Sequence, residues 1–277
     1  MYTTVLMLLN IMPLILTSEN CDKYGILLYE DIGCKPVMNA TESCPSRYDC
    51  NFSRPKSGCT FKGKNYNPGE DIESELTYSA CSIGCRCEDF NFIRCAVLDC
   101  PEHLGGYPEP DCLPKYELGK CCATEQICNA TAEAKTCQVD GETYSIGAKF
   151  YPKNTCFSCI CHANFTGEYD EETCMRQNCV AEIYSNEQIN QKCAPAYFNF
   201  HSDEVLCCPN EFLCPEPTDD IKVVNFQADA NATFQCQYGA GELKVGEGFH
   251  RRINKYGKDR NLLCECIMPP LVTCREV

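Results

Sequence analysis

Only one long apolar run occurs along the chain, and it lies at the start. Val5 to Leu16 is apolar apart from Asn10, and it ends at Thr17 and Ser18. A run of this length fits the core of a secretory signal peptide and is too short to span a bilayer comfortably. It predicts a signal peptide over residues 1–18, although its flank carries no basic residue beyond the free amine. No later stretch is long and apolar enough to cross a membrane. The closing "LVTCREV" shows no anchor pattern, so a secreted chain without a membrane span is expected. Further along, the pattern changes to short alternations. In "CQVDGETYSIGAKF", Cys137 to Phe150, side chains alternate between glycines placed three residues either side of Tyr144. Such spacing predicts a β-hairpin whose turns need positive φ. Short strands, hairpins and loops are expected throughout, with almost no helix.

Composition sharpens this picture. There are 28 cysteines in 277 residues, a density that marks a disulfide scaffold. Small modules of this kind replace a full hydrophobic core with crosslinks, each worth roughly 2–4 kcal/mol. Five N-x-S/T sequons begin at Asn39, Asn51, Asn129, Asn164 and Asn231, in keeping with a secretory route and glycosylation. The net charge of −15 argues against nucleic acid and anionic membranes as partners.

Aligning the cysteines reveals a repeat. Cys59, Cys81, Cys85, Cys87, Cys95, Cys100, Cys112, Cys121, Cys122 and Cys128 form one set of ten. Cys137, Cys156, Cys159, Cys161, Cys174, Cys179, Cys193, Cys207, Cys208 and Cys214 form a second, in the same order. Each opens with C-x3-G-x2-Y-x2-G, and each carries identical C-x4-C and CC-x5-C spacings. This order closely resembles the von Willebrand factor type C module, the chordin-like cysteine-rich repeat. The second copy matches C-x2-C-x-C directly; the first is one residue longer there.

The ends resemble partial copies. Cys236, Cys264, Cys266 and Cys274 look like a front half lacking its second cysteine, with Arg260 or Asn261 near the empty place. Cys21, Cys34, Cys44 and Cys50 look like a back half in which Ser43 replaces the first cysteine of the CC pair. Both losses are explained if the second and eighth cysteines bond each other. That predicts Cys81–Cys121 and Cys156–Cys207 as the bonds joining front to back. Spacing does not fix the other pairs. The resemblance implies Cys59–Cys87, Cys85–Cys95, Cys100–Cys122 and Cys112–Cys128 in the first module. In the second it implies Cys137–Cys161, Cys159–Cys174, Cys179–Cys208 and Cys193–Cys214. For the partial modules it implies Cys21–Cys44, Cys34–Cys50, Cys236–Cys266 and Cys264–Cys274.

The expected organisation is therefore a small disulfide-rich, mainly β protein of tandem type C-like modules in an elongated chain. A back-half module (19–58) follows the signal peptide. Two full modules (59–128 and 137–214) come next, with linkers at 129–136 and 215–235, and a front-half module (236–277) ends the series. Short linkers suggest a string with semi-flexible joints, the alternative being that the two terminal halves dock with each other.

Within this frame the stretch "CFSCICHANF", Cys156 to Phe165, has three readings. A zinc site would need a second ligand pair and reduced thiols, which the secretory route removes. A redox C-x-x-C belongs at a helix start, and no helical pattern is present. A disulfide knot fits best. The histidines, His103, His162, His201 and His250, lie in no recognised catalytic or metal motif, and no serine has a G-x-S-x-G context. The acidic run Glu168 to Glu172 reads as a solvated loop, with no EF-hand spacing. No enzyme activity, metal or cofactor is expected.

Two surface features stand out. Lys244, Arg251, Arg252, Lys255, Lys258 and Arg260 form a basic region, a candidate patch for heparan sulfate or an acidic protein, with Arg251-Arg252 a candidate processing site. Tyr197, Phe198 and Phe200 crowd "APAYFNF" in a loop and either pack on disulfides or mark an interface. The resemblance implies an extracellular protein ligand, a growth factor of the bone morphogenetic protein or TGF-β type. It places the contacts near the module front, around Phe61 to Tyr66 and Val139 to Phe150. The competing expectations are a matrix or structural protein, and a secreted defence or signalling factor like the single-module type C proteins of arthropods.

Overall fold

The computed structural model describes residues 23–38, 44–53, 55–105, 112–128, 135–199, 206–225 and 233–277. The described residues are mainly β, arranged in two- and three-stranded antiparallel sheets and one six-stranded mixed sheet, with disulfides between them. Residues 1–18, expected to be a signal peptide, and Cys21 lie outside them, while Cys44 is described and disulfide-bonded.

The front-half pattern occurs three times. Its opening hairpins are Cys59–Phe61 with Lys64–Tyr66, Thr136–Val139 with Glu142–Ser145, and Gln235–Tyr238 with Gly241–Lys244. In the first two, the motif cysteine sits directly opposite the motif tyrosine, Cys59 to Tyr66 and Cys137 to Tyr144. The turns are Lys62-Gly63 and Asp140-Gly141, both residues at positive φ, which is what a two-residue hairpin with matching twist requires. A second recurrent feature closes each unit. The amides of Gly69, Gly147 and Gly246 donate to the carbonyls of Cys87, Cys161 and Cys266 at 2.7, 2.8 and 2.9 Å. The same three cysteines donate their own amides to Glu70, Ala148 and Glu247, each at 2.9 Å. The final segment therefore repeats the backbone geometry of the two earlier ones.

The back-half pattern is a hairpin clamped at its mouth. Lys35–Met38 pairs with Pro45–Asp49 beside Cys34–Cys50, and Cys112–Lys115 pairs with Glu125–Cys128 beside Cys112–Cys128. Ala194–Tyr197 pairs with Glu211–Leu213 beside Cys193–Cys214.

Helix is scarce but not negligible. Helix α1 spans Lys23–Asp31, α2 Ala181–Tyr184 and α3 Asn186–Asn190. The nine-residue α1 departs from the sequence expectation. It ends in a Schellman motif: Cys34 donates to the Tyr29 carbonyl and Gly33, at φ 76°, to that of Glu30. Helix α3 ends the same way, Cys193 donating to Gln188 and Lys192, at φ 57°, to Ile189. Both helices thus enter the first cysteine of a clamped hairpin by one geometry.

Packing does not follow the expected string. The strands Ala194–Tyr197 and Thr273–Glu276 pair in parallel, within a six-stranded sheet that also holds Glu247–Lys255, Lys258–Glu265, Glu211–Leu213 and Lys222–Val223. This sheet merges the hairpin Ala194–Tyr197 with Glu211–Leu213 and the final front-half segment around Phe249, Leu262 and Val272. A second core joins Ile26, Leu28, Tyr29, Ile32 and Tyr48 of the first segment to Ala181, Ile189, Met268 and Leu271. The first and last segments therefore touch, where the linkers suggested an extended chain. The apolar face of α1 requires this, because a two-stranded hairpin alone cannot cover it.

Candidate functional site

The stretch from Cys156 resolves into three separate crosslinks. Cys156 bonds Cys207, Cys159 bonds Cys174 and Cys161 bonds Cys137. The exposed His162 is turned to its own loop, 3.4 Å from the Asn164 amide. The remaining pairs are Cys34–Cys50, Cys59–Cys87, Cys81–Cys121, Cys85–Cys95, Cys100–Cys122, Cys112–Cys128, Cys179–Cys208, Cys193–Cys214, Cys236–Cys266 and Cys264–Cys274. No described cysteine is free. Cys81, Cys100 and Cys121 do crowd together, and Cys100 lies near Glu102 and His103. These sulfurs are all in disulfides, so they carry no thiolate to ligate a metal.

The two hairpins singled out from the resemblance sit in different surroundings. In the first, Phe61 and Tyr66 are buried. Its Lys62 amide donates to the Glu182 carboxylate at 2.6 Å, and the Lys62 ammonium reaches Asp31 at 2.9 Å and Asn178 at 3.0 Å. This turn is thus held between α1 and α2. Burial beside Asp31 pushes the Glu182 carboxyl up to about 8, although the Lys62 amide works in the other direction. The second hairpin buries Val139 and Phe150 while exposing Gln138, Glu142 and Thr143. Gln138 and Thr143 bond each other across it at 2.8 Å. The Phe150 ring stacks on Tyr144 and meets Phe165 edge-on, with centroids 5.0 and 5.5 Å away.

The basic region does not form one surface. Arg251 is buried and donates to Asp219 through Nε at 3.0 Å, to the Cys214 carbonyl at 2.9 Å and to the Tyr238 hydroxyl at 2.8 Å. Arg260 is buried too, donating to the Asn199 carbonyl at 2.8 Å and to Glu276 at 2.7 Å. Arg252 pairs with Asp259, and Lys255 with Glu211. Lys244 and Lys258 remain exposed. The cause is strand alternation. Arg251 shares the inward face of Glu247–Lys255 with Phe249 and Ile253, while Arg252 faces out. The Arg251-Arg252 bond lies inside a paired strand, a poor substrate for a processing protease.

Tyr197 and Phe198 are fully or nearly fully buried, with Tyr197 in a paired strand rather than a loop. Phe200 lies outside the described residues. Of the sequons, Asn51 and Asn164 are exposed. Asn39, Asn129 and Asn231 lie outside the described residues, as does His201.

Two clusters escaped the sequence reading. One is the Asp31–Lys62–Glu182 junction. The other surrounds Lys149, whose ammonium donates to the carbonyls of Lys120 at 3.1 Å and Cys121 at 3.0 Å and lies 4.6 Å from the Tyr116 ring centroid. Neither had a local signal, because each joins residues from distant segments. No protein-family model matches the chain, and no solved structure matches it.

Proposed function

We infer that the chain is a secreted, non-enzymatic binding protein assembled from type C-like modules at 59–128 and 137–214, flanked by partial modules at 19–58 and 236–277. Its ligand on this reading is an extracellular protein, a growth factor of the bone morphogenetic protein or TGF-β type. The supporting observation is the contrast between the two candidate hairpins. Thr136–Ser145 keeps Gln138, Glu142 and Thr143 in solvent, whereas the turn of Cys59–Tyr66 is engaged by Glu182 and Asp31. On this reading the ligand contacts the second module, although Lys64 and Asn65 of the first hairpin are exposed too. Both hairpins stand on backbone and disulfide geometry that a side-chain change on the outer face leaves intact.

The experiment is surface binding of the glycosylated, disulfide-intact protein to a panel of such growth factors. Submicromolar binding that is lost on Glu142→Arg with Thr143→Glu supports the reading. Absence of binding across the panel overturns it. Loss on changing the outer residues of the first hairpin instead would reassign the contact to that module.

A further inference from the structure

Between the segment 79–121 and residues Lys149 and Tyr151, an open cavity of about 390 Å³ is walled by Leu98, Leu104, Tyr116, Tyr151 and the Cys81–Cys121 disulfide. A smaller one of about 150 Å³ adjoins it, and Ser79, Lys149 and Tyr151 line both. The lining is mixed: Leu98, Leu104 and the rings share it with Asp99 and His103, and two of its large side chains stand open to water, Leu104 at 72% and Tyr151 at 59% exposure. The Ser79 hydroxyl is buried without a hydrogen-bond partner. Lys149 donates to two carbonyls, which leaves one of its three N–H groups without a hydrogen-bond acceptor, and the Tyr116 ring faces the ammonium at 4.6 Å.

Charge around Lys149 is unbalanced. No carboxylate of the described residues lies within ion-pair distance of its ammonium. Glu102, the acid that raises its pKa, is committed to the Ala123 amide at 2.8 Å and to the Tyr116 hydroxyl, and Asp99 lines the same cavity. Burial lowers the Lys149 pKa more than Glu102 raises it, so the ammonium is under-compensated. An ammonium in this condition gains from an anion that brings no competing cation. The size of the cavity suits a compact ligand, and its Leu98, Leu104 and Tyr151 side suits an apolar body.

We propose that this cavity binds a small amphiphilic monocarboxylate, with the carboxylate on Lys149 and the apolar body against Leu98, Leu104 and Tyr151. The proposal stands apart from the growth-factor reading, because the exposed residues of the hairpin Thr136–Ser145 do not line the cavity.

Calorimetric titration of the intact secreted chain tests it, using phenylpropionate and octanoate, each against its neutral amide. The acids are expected to bind saturably and the amides about tenfold or more weakly. Lys149→Gln should abolish the preference for acid over amide. Leu104→Asp changes an exposed rim residue that the fold does not need, and should weaken acid binding by about tenfold. No saturable binding of either acid below ~10 mM, equal affinity for acid and amide, or an acid preference that survives Lys149→Gln would each overturn the proposal.

Discussion

The Tyr29 hydroxyl accepts the backbone amide of Leu271 at 3.0 Å and lies 3.1 Å from the carbonyl of Met268, to which it donates. The two residues are 242 positions apart. Tyr48 supports the contact, its ring centroid 4.9 Å from that of Tyr29 and its own amide donating to Pro269 at 2.9 Å. One phenol therefore serves two backbone groups of the last segment at a site closed to water. Tyr29→Phe keeps the ring but leaves the fully buried Leu271 amide without its acceptor. The expected cost is about 1–3 kcal/mol. Hydrogen exchange across residues 267–274 should accelerate with it, and unchanged protection there would show that the hydroxyl is not holding the ends together.

Glycine at the junction of α1 with the first opening hairpin offers a second test. A Cβ on Gly33 would lie 2.6 Å from the Lys62 carbonyl carbon and 2.8 Å from the Gly63 amide nitrogen. Gly257 has nearly the same φ, 77° against 76°, and nothing within reach of a Cβ. Gly257→Ala should cost about 1 kcal/mol, the strain of a left-handed residue alone. Gly33→Ala adds a clash with rigid backbone and should cost at least ~2 kcal/mol. Equal melting temperatures for the two variants would mean that the 62–63 turn yields freely.

These two predictions also mark what the chain discloses. The opening hairpins were legible because turn chemistry is local: a glycine four residues after a cysteine and a tyrosine opposite it leave few alternatives. The inter-half crosslinks Cys81–Cys121 and Cys156–Cys207 followed from which cysteines the partial segments lack. Helix α1 was missed because Ile26 to Tyr29 form an unbroken apolar run with no helical spacing to separate faces. Its one local signal was Gly33, a C-terminal cap just ahead of Cys34. The burial of Arg251 was legible in principle from its alternation with Phe249 and Ile253. The contact of Tyr29 with Leu271 and the surroundings of Lys149 were not legible, since no local pattern encodes which faces meet across the chain.

Glu182 makes stability depend on pH in a defined direction. Its carboxyl is raised from 4.5 to about 8 in the folded protein, chiefly by burial and then by Asp31. The groups that face it are Asp31 of α1 and the amide and ammonium of Lys62. A raised acid pKa means that the folded state holds the proton more tightly than the unfolded state. Stability from this group is therefore full below about 4.5 and falls as pH rises towards about 8, by on the order of a few kcal/mol at most. Glu73 acts in a lower window, its exposed carboxyl held down to about 2 by Lys64 and Tyr66. Glu182→Gln keeps an acceptor for the Lys62 amide and removes the titration. Denaturant midpoints measured between pH 5 and 8 should decline in the parent and lie flatter in the variant. A parallel decline in both would exclude Glu182 as the source.

Neighbouring arginines on one strand should differ sharply in worth. Arg251 and its partner Asp219 are buried, with side chains 7% and 5% exposed, and the guanidinium also serves Cys214 and Tyr238. Arg251→Met keeps much of the volume and strands the Asp219 carboxylate away from water without its cation. Breaking a buried pair from one side costs about 3–5 kcal/mol. Arg252 faces outward, and its pair with Asp259 is well exposed on both sides. Arg252→Ala should therefore change stability by less than about 1 kcal/mol. The double-mutant cycle of Arg251→Met with Asp219→Asn tests the cause as well as the size. If the stranded charge carries the loss, the double variant should be more stable than Arg251→Met alone, because the amide needs no counterion. A double variant that loses the sum of the two single effects would place the loss in packing and in the Cys214 and Tyr238 bonds instead.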